Sequence, residues 1–358
     1  MKKALLVLPA ALYGLAVQIR LWLYRSGIIK PRKLHNPVIS VGNLTVGGTG
    51  KTPIVELIAR RLREYGEAPV ILSRGYKAID ISKNLLVSDG TNILMDWEDA
   101  GDEPFQLARN LTSTKVYIGK NRYISGQQAE GKGESCVFIL DDGYQHVQLK
   151  RNLNILLIDA TDPFGGGALL PIGRLREPIR EIRRADIIVI TRSDSPFDEE
   201  TLTGAIRRYK PAIPILFAYH DVIGLFPVKE VDRRTDLNER RLNPIDIGEF
   251  FGQSVLTVAG IARPDLFVKD VQHFQIQVAG HMSFPDHHTY CASDVDTILA
   301  EARRLGVRAI LTTEKDAIRL SHLYSDESPL YYLRIEARIM DEERLKFYIE
   351  SCLGRFGA

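Results

Sequence analysis

Val38-Ile39-Ser40-Val41-Gly42-Asn43-Leu44-Thr45-Val46-Gly47-Gly48-Thr49-Gly50-Lys51-Thr52 is the stretch that decides the fold. A short β-branched run enters a glycine-rich turn, and a helical pattern starts at Lys51-Thr52 and continues through Ile54, Val55, Leu57, Ile58 and Leu62. That is a strand, a phosphate-cradling loop and a helix N-terminus. Gly47, Gly48 and Gly50 let backbone N–H groups turn inward around an anion, and the helix dipole adds to that field. Thr45 and Val46 lead into this cradle, Lys51 would reach β/γ-phosphates, and the Thr52 hydroxyl would ligate Mg²⁺. The pattern G-x-x-x-x-G-K-[ST] asks for glycine at position 45, where this chain has threonine. The shorter core Gly-Gly-Thr-Gly-Lys-Thr is intact, so a plain turn with a solvated lysine explains the stretch less well.

The chain has 358 residues, of which 45% are hydrophobic and 26% charged. That length favours two domains or one with an appendage, and the composition is ordinary for globular proteins. The net charge of +2 gives no reason to expect nucleic acid as a partner. Cys136, Cys291 and Cys352 are odd in number and far apart, which argues for a reducing compartment without a disulfide framework or zinc site.

Lys2-Lys3 precedes an apolar run from Ala4 to Val17, followed by Ile19, Leu21, Trp22, Leu23 and Tyr24 with Gln18 and Arg20 interspersed. Export as a signal peptide conflicts with a phosphate loop so close behind it. Pro9, Gly14, Gln18 and Arg20 fit poorly with a transmembrane helix. An interfacial helix, with Lys30, Arg32 and Lys33 meeting anionic lipid, is the favoured reading. A helix simply packed on the protein is the alternative.

Further strands are expected near Val70, Val116, Val137, Ile155 and Ile187, separated by helical patterns. Together with Val38 they predict a doubly wound, mostly parallel α/β sheet. The strand Val137 to Leu140 ends in Asp141-Asp142, the paired carboxylates a Walker B element places beside the loop to hold Mg²⁺. Arg74-Gly75-Tyr76-Lys77 lies at another strand's carboxyl end, where open sheets bind ligands. Asp102, in Gly101-Asp102-Glu103-Pro104, would by itself read as a helix N-cap. Arg174, Arg176, Arg180, Arg183 and Arg184 suit phosphate groups or a solvated helix face equally.

The strand–helix rhythm loosens from Pro211 to Leu225, and a charged stretch follows from Lys229 to Arg241. A second α/β unit begins at Val255 and closes with a strand at Tyr331 to Arg338 and a helix at Asp341 to Leu353. The expected organisation is an interface helix over 1–30, a nucleotide-binding core over 31–224 and a smaller α/β unit over 225–358. Phe284-Pro285-Asp286-His287-His288, with His281 nearby, concentrates titratable groups. The spacing does not suit a metal. A histidine against a carboxylate is the commoner acid–base device, although Asp286 could merely cap a helix.

Taken together, Gly42 to Pro53, Ser73-Arg74-Gly75-Tyr76, Gly101 to Pro104, Asp141 to His146, Leu170 to Pro178, Gly260 to Pro264, Phe284 to His287 and Thr313-Glu314-Lys315-Asp316 resemble the tetraacyldisaccharide 4′-kinase family over nearly the whole chain. That family also lacks the first Walker glycine, at the position of Thr45. The resemblance implies a P-loop NTPase core and transfer of the ATP γ-phosphate to the 4′-hydroxyl of a lipid A disaccharide 1-phosphate. It implies a site at the cytoplasmic face of the inner membrane, held peripherally or monotopically, without an obligate protein partner. By motif, Asp102 looks like the acceptor of the hydroxyl proton, paired with His287, and Lys51 completes the catalytic set. Glu103, Asp141 and Asp142 look like metal-side carboxylates with Thr52, and Arg176 and Glu177 look placed near nucleotide or substrate. The rival from another class is a P-loop NTPase switch or chaperone coupling hydrolysis to a membrane-associated partner.

Overall fold

The computed structural model describes residues 6–76, 78–131, 133, 135–231, 244–323 and 329–355. Lys2-Lys3, Lys77 and most of the charged stretch after Lys229 lie outside the described residues.

Strand β1 (Val38–Asn43) is buried along its whole length. Parallel β5 (Val137–Leu140) and β6 (Leu153–Asp159) flank it, and these continuous apolar runs suit strands covered on both faces. On the β5 side follow β2 (Pro69–Ser73), β4 (Lys115–Ile118) and an antiparallel edge strand, β3 (Leu85–Ser88). On the β6 side β7 (Ile187–Thr191) continues the parallel ladder into β8 (Ile215–Pro227).

β8 is where the chain departs from expectation. The stretch in which the rhythm loosens is a 13-residue strand. Its start, Ile215 to Phe217, pairs parallel with β7, and Ala218 onward pairs antiparallel with β12 (Leu330–Ile339). Tyr219 and His220 at its middle are only partly covered and Asp221 is exposed, so neither a buried run nor a clean alternation shows in the sequence. Beyond β12 lie β11 (Ala309–Thr313), β9 (Ser254–Ala259) and β10 (Gln277–Ser283), all parallel. The result is one 12-stranded sheet, β10-β9-β11-β12-β8-β7-β6-β1-β5-β2-β4-β3.

The helices are α1 (Val7–Arg25), α2 (Lys51–Glu64), α3 (Trp97–Ala100), α4 (Asp102–Asn110), α5 (Arg122–Glu130), α6 (Glu199–Arg207), α7 (Pro264–His273), α8 (Ala292–Leu305), α9 (Glu314–Leu320) and α10 (Glu342–Cys352). α2 buries Ile54, Val55, Leu57, Ile58 and Leu62 and touches both β1 and β12. The helix behind the phosphate loop therefore packs on strands from both ends of the chain. Each such fully buried aliphatic side chain contributes roughly 1.5–3 kcal/mol.

α1 buries Ala10, Gly14, Val17 and Leu21, a spacing that falls on one helix face. A Cβ on Gly14 would sit 2.8 Å from Leu169 Cδ1, so the missing side chain permits the close approach. Tyr13 Oη donates to the Arg176 carbonyl at 2.8 Å, Arg20 pairs with Glu177 at 3.1 Å, and Arg25 pairs with Glu181. The opposite face carries Leu8, Leu12, Leu15, Ile19 and Trp22, between 50% and 68% exposed. The helix is thus packed on the protein along one face and bare and apolar along the other.

Glu177 is fully buried between Arg20 and Arg184. Removing one partner of a buried pair strands the others. With Arg20 half exposed, Glu177→Ala is expected to cost roughly 2–4 kcal/mol and to loosen α1. Urea denaturation and protease accessibility at residues 1–30 check this.

Candidate active site

The phosphate loop leaves β1 at Asn43, whose Nδ2 donates to Thr49 Oγ1 at 2.7 Å and lies 3.4 Å from Thr45 Oγ1. Thr45 is buried and bridges Leu175 on the neighbouring loop. A β-branched residue that ties two loops together thus replaces the first glycine of the usual pattern. Thr191 at the end of β7 donates to the Thr49 carbonyl at 3.1 Å. Gly50, at φ 72, caps α2 in the left-handed region, and the first N–H groups of α2 have no intrahelical acceptor. Val46 to Thr52 line a cleft of about 960 Å³.

Asp141 and Asp142 emerge from β5 beside this loop. Ser73 at the end of β2 donates to Asp141 Oδ2 at 2.8 Å. Burial, with Glu103 and Asp142 nearby, pushes the Asp141 carboxyl up to about 6. Burial also opposes ionisation of Asp142, but Lys51 and Arg176 outweigh it and hold that carboxyl at about 2. Lys51 Nζ stands 4.0 Å from Asp142 Oδ1 and Arg176 Nη1 stands 2.6 Å from Asp142 Oδ2. Asp142 Oδ1 is buried without a hydrogen-bond partner among the described residues.

Glu103 bonds Lys315, whose charge holds its carboxyl below the ordinary value. Among the described residues no cluster of three or more ligating side chains could cage a metal by itself. Mg²⁺ is usually held by one or two carboxylates, waters and substrate phosphates, so a short acidic set beside a phosphate loop fits it. The Asp142 oxygen without a hydrogen-bond partner, on a residue lining the cleft, fits it too.

Asp102 is the first residue of α4. The cap is instead Gly101, at φ 84, where a Cβ would meet the Tyr76 carbonyl at 2.5 Å. The carboxylate divides its oxygens: Oδ1 accepts from the Glu103 N–H of its own helix at 3.0 Å, and Oδ2 is left to face His287. Asp102 Oδ2 accepts from His287 Nδ1 at 2.9 Å, with Arg319 Nε 3.9 Å away. Burial opposes ionisation of Asp102, yet the His287 hydrogen bond and the charges of Lys315 and Arg319 hold it below the ordinary carboxylate range.

His287 belongs to a turn between β10 and α8. Its backbone sits at φ 58, its N–H donates to the Gly260 carbonyl at 3.0 Å, and the Tyr76 ring lies 5.3 Å from its own. Arg319 clamps this turn by donating to the carbonyls of His288 and Gly260 and to Asp316. The two neighbouring histidines serve other partners. His281 contacts Thr257 and Ser283, and His288 contacts Asp294.

The structure brings Lys51, Thr52, Glu103, Asp141, Asp142, Arg176 and His287 to one cleft, with Asp102 bonded at its edge. It does not bring Glu177 there, because that carboxylate is turned toward α1. Nor is the basic stretch free: Arg174 pairs with Asp162, Arg180 donates to Gln18, and Arg183 donates to the Tyr209 carbonyl. Sequence reasoning assigned nothing to Arg319 or Lys315. Their signal was the Thr313-Glu314-Lys315-Asp316 block, with Arg319 one helical turn beyond it.

Residues 2–353 match the family model described as Tetraacyldisaccharide-1-P 4'-kinase. A tetraacyldisaccharide 4′-kinase of Geobacter metallireducens is 38% identical over 353 residues, covering 98% of both chains. That of Geobacter sulfurreducens is 38% identical, covering 98% of this chain and 93% of its own. The solved LpxK from Aquifex aeolicus in complex with ATP superposes with a TM-score of 0.77 at 34% identity, covering 99% of this chain and all of that one.

The raised Asp141 carboxyl carries a stability consequence. Its proton leaves at about 6 when folded, against an ordinary 3.8. Stability from this group is therefore fully present below the unfolded value and lost as pH rises through about 6. Asp141→Asn should stabilise the nucleotide-free protein by roughly 1–3 kcal/mol at about pH 8, and the gain should vanish toward about pH 4. Urea-unfolding midpoints across that range check the sign.

Proposed function

The chain belongs to the tetraacyldisaccharide 4′-kinase family, and on that premise we propose how its cleft carries the reaction. The protein is a kinase of lipid A biosynthesis that phosphorylates the 4′-hydroxyl of a tetraacyldisaccharide 1-phosphate with ATP. The triphosphate lies in the loop from Thr45 to Thr52 with Lys51 on the β- and γ-phosphates. Thr52, Glu103, Asp141 and Asp142 are the residues that would hold Mg²⁺, which when bound neutralises charge on phosphate oxygens. Arg176 orients Asp142 and borders the nucleotide.

Asp102 accepts the proton of the attacking hydroxyl. Its low proton affinity keeps it ionised at neutral pH. Phosphoryl transfer through a loose transition state asks more for orientation of the nucleophile than for a strong base. His287 fixes the carboxylate and shares its proton. The observation that carries this reading is the 2.9 Å bond between Asp102 and His287 at the edge of the phosphate-loop cleft. A switch NTPase has no use for an acceptor base assembled from residues 185 apart in the chain.

The units work together in this scheme. Residues 31–224 supply Lys51, Asp102 and Asp141, residues 225–358 supply His287, and residues 1–30 supply the anchor. The bare apolar face of α1, followed by exposed Lys30, Arg32 and Lys33, supports peripheral or monotopic attachment to the cytoplasmic face of the inner membrane.

Labelled ATP, Mg²⁺ and the lipid disaccharide 1-phosphate in detergent should yield labelled lipid. Hydrolysis of ATP with no labelled lipid would sink the reading. Asp102→Ala and His287→Ala should each lower kcat roughly 10²–10⁴-fold with the KM for ATP little changed. Near-normal turnover in either removes that residue from the dyad. Leu12→Glu combined with Trp22→Glu should shift the protein from vesicles to the soluble fraction in flotation assays.

A further inference from the structure

We propose that Lys315 is a second phosphate-contacting cation of the reaction, placed opposite Lys51 to neutralise the γ-phosphoryl group as it passes from ADP to the acceptor. This rests on the kinase reading above and assigns a role to a motif that reading leaves unused.

The side chain enters the cleft from the C-terminal half and lines it together with Gly47 to Thr52. Its ammonium bonds Glu103 and remains one quarter exposed to the cleft. Glu103 lies within electrostatic reach of both Lys315 and Lys51. Asp102, the acceptor base, is the preceding residue and also feels Lys315. In-line transfer places the γ-phosphorus between the leaving oxygen of the β-phosphate and the attacking oxygen, which the base holds. The Lys315 ammonium, bonded to Glu103 next to that base, therefore lies within reach of the reacting group.

The position of Lys315 is built rather than incidental. Thr313 Oγ1 accepts from the Asp316 N–H at 3.1 Å and fixes the start of α9. Glu314, on the other flank, is gripped by α4: Gln106 Nε2 donates to it at 2.8 Å and Asn110 Nδ2 at 3.0 Å. Glu103, Gln106 and Asn110 are spaced three and four residues apart, so they form one stripe of α4 facing α9. The helix that presents the acceptor base thus sets the register of Lys315.

Chemically, the acceptor oxygen forms a bond to phosphorus, the bond to the β-phosphate oxygen breaks, and ADP leaves with that electron pair. The hydroxyl proton passes to Asp102. Lys315 neither gives nor takes a proton; it stabilises charge on the transferring oxygens. A preorganised cation aimed at developing charge is worth roughly 10²–10³ in rate.

The alternative is that Lys315 only balances the charge of Glu103. Transition-state affinity separates the two. Calorimetry on the full chain in detergent would compare ADP alone with ADP plus aluminium fluoride, for wild type and Lys315→Met, with Mg²⁺ present. The expected result is a loss of at least about 30-fold in the fluoride complex with ADP affinity within about threefold, and kcat down roughly 100-fold. Equal loss for both ligands, or none for either, overturns the proposal. Lys315→Gln keeps a donor for Glu103 and must show the same selective loss if Lys315→Met fails to fold; normal turnover in it overturns the proposal as well. If wild type makes no labelled lipid yet binds ADP plus fluoride through Lys315, the kinase reading fails and the cation assignment stands.

Discussion

Crowded negative charge is the condition around which the cleft is organised. Glu103, Asp141 and Asp142, with Asp102 at the edge, are drawn to one place beside a loop that is itself shaped for a polyanion. Ions removed from water cost several kcal/mol each unless they are matched closely. The matches are specific: His287 and Arg319 for Asp102, Lys315 for Glu103, and Lys51 and Arg176 for Asp142. Asp141 has the Ser73 hydroxyl and a weaker pull from Lys51, which burial and its acidic neighbours outweigh, so its carboxyl holds its proton more tightly than theirs. His287, Lys315 and Arg319 all come from the last third of the chain. The charge balance of the phosphate loop is therefore incomplete until the C-terminal half is docked. Such pairs add little net stability; what they secure is geometry.

The parts of this arrangement that follow local rules were legible in the sequence. A β-branched run, a glycine turn and Lys-Thr define the phosphate loop, and an apolar strand ending in Asp141-Asp142 defines its acidic neighbour. Both depend on contacts within a few residues. What depends on distant contacts was not legible. β8 reads as irregular because its two ends pair with different partners and its middle is half covered. Asp102 reads as a helix cap because nothing local reveals that Gly101 takes that position. The resemblance puts Glu177 with Arg176 near nucleotide or substrate, and no local pattern reveals that its carboxylate pairs with Arg20 of α1 and with Arg184. Lys315 and Arg319 gain meaning only once α9 is set against α4.

The N-terminal helix answers its two competing readings with two faces. Small residues at Ala10 and Gly14 allow a close dock, and the arginines at 20 and 25 are held by buried glutamates. Glu177 and Glu181 lie just past Arg176, whose carbonyl also receives Tyr13. A helix that presents leucines and a tryptophan outward is thereby tied directly to a loop bordering the reaction cleft.

The long strand β8 has a consequence for how the molecule is made. Its second half pairs from Ala218 to Pro227 with β12, which leaves the ribosome roughly 100 residues later, about 5–20 s at ordinary elongation rates. Through that interval the nucleotide-binding half is complete along one side of its sheet and open on the other. An unpaired strand edge of this kind is a template for mispairing with other nascent chains. Biogenesis of this enzyme is therefore most exposed to aggregation in the window between synthesis of Pro227 and Ile339, long before any lipid substrate is met.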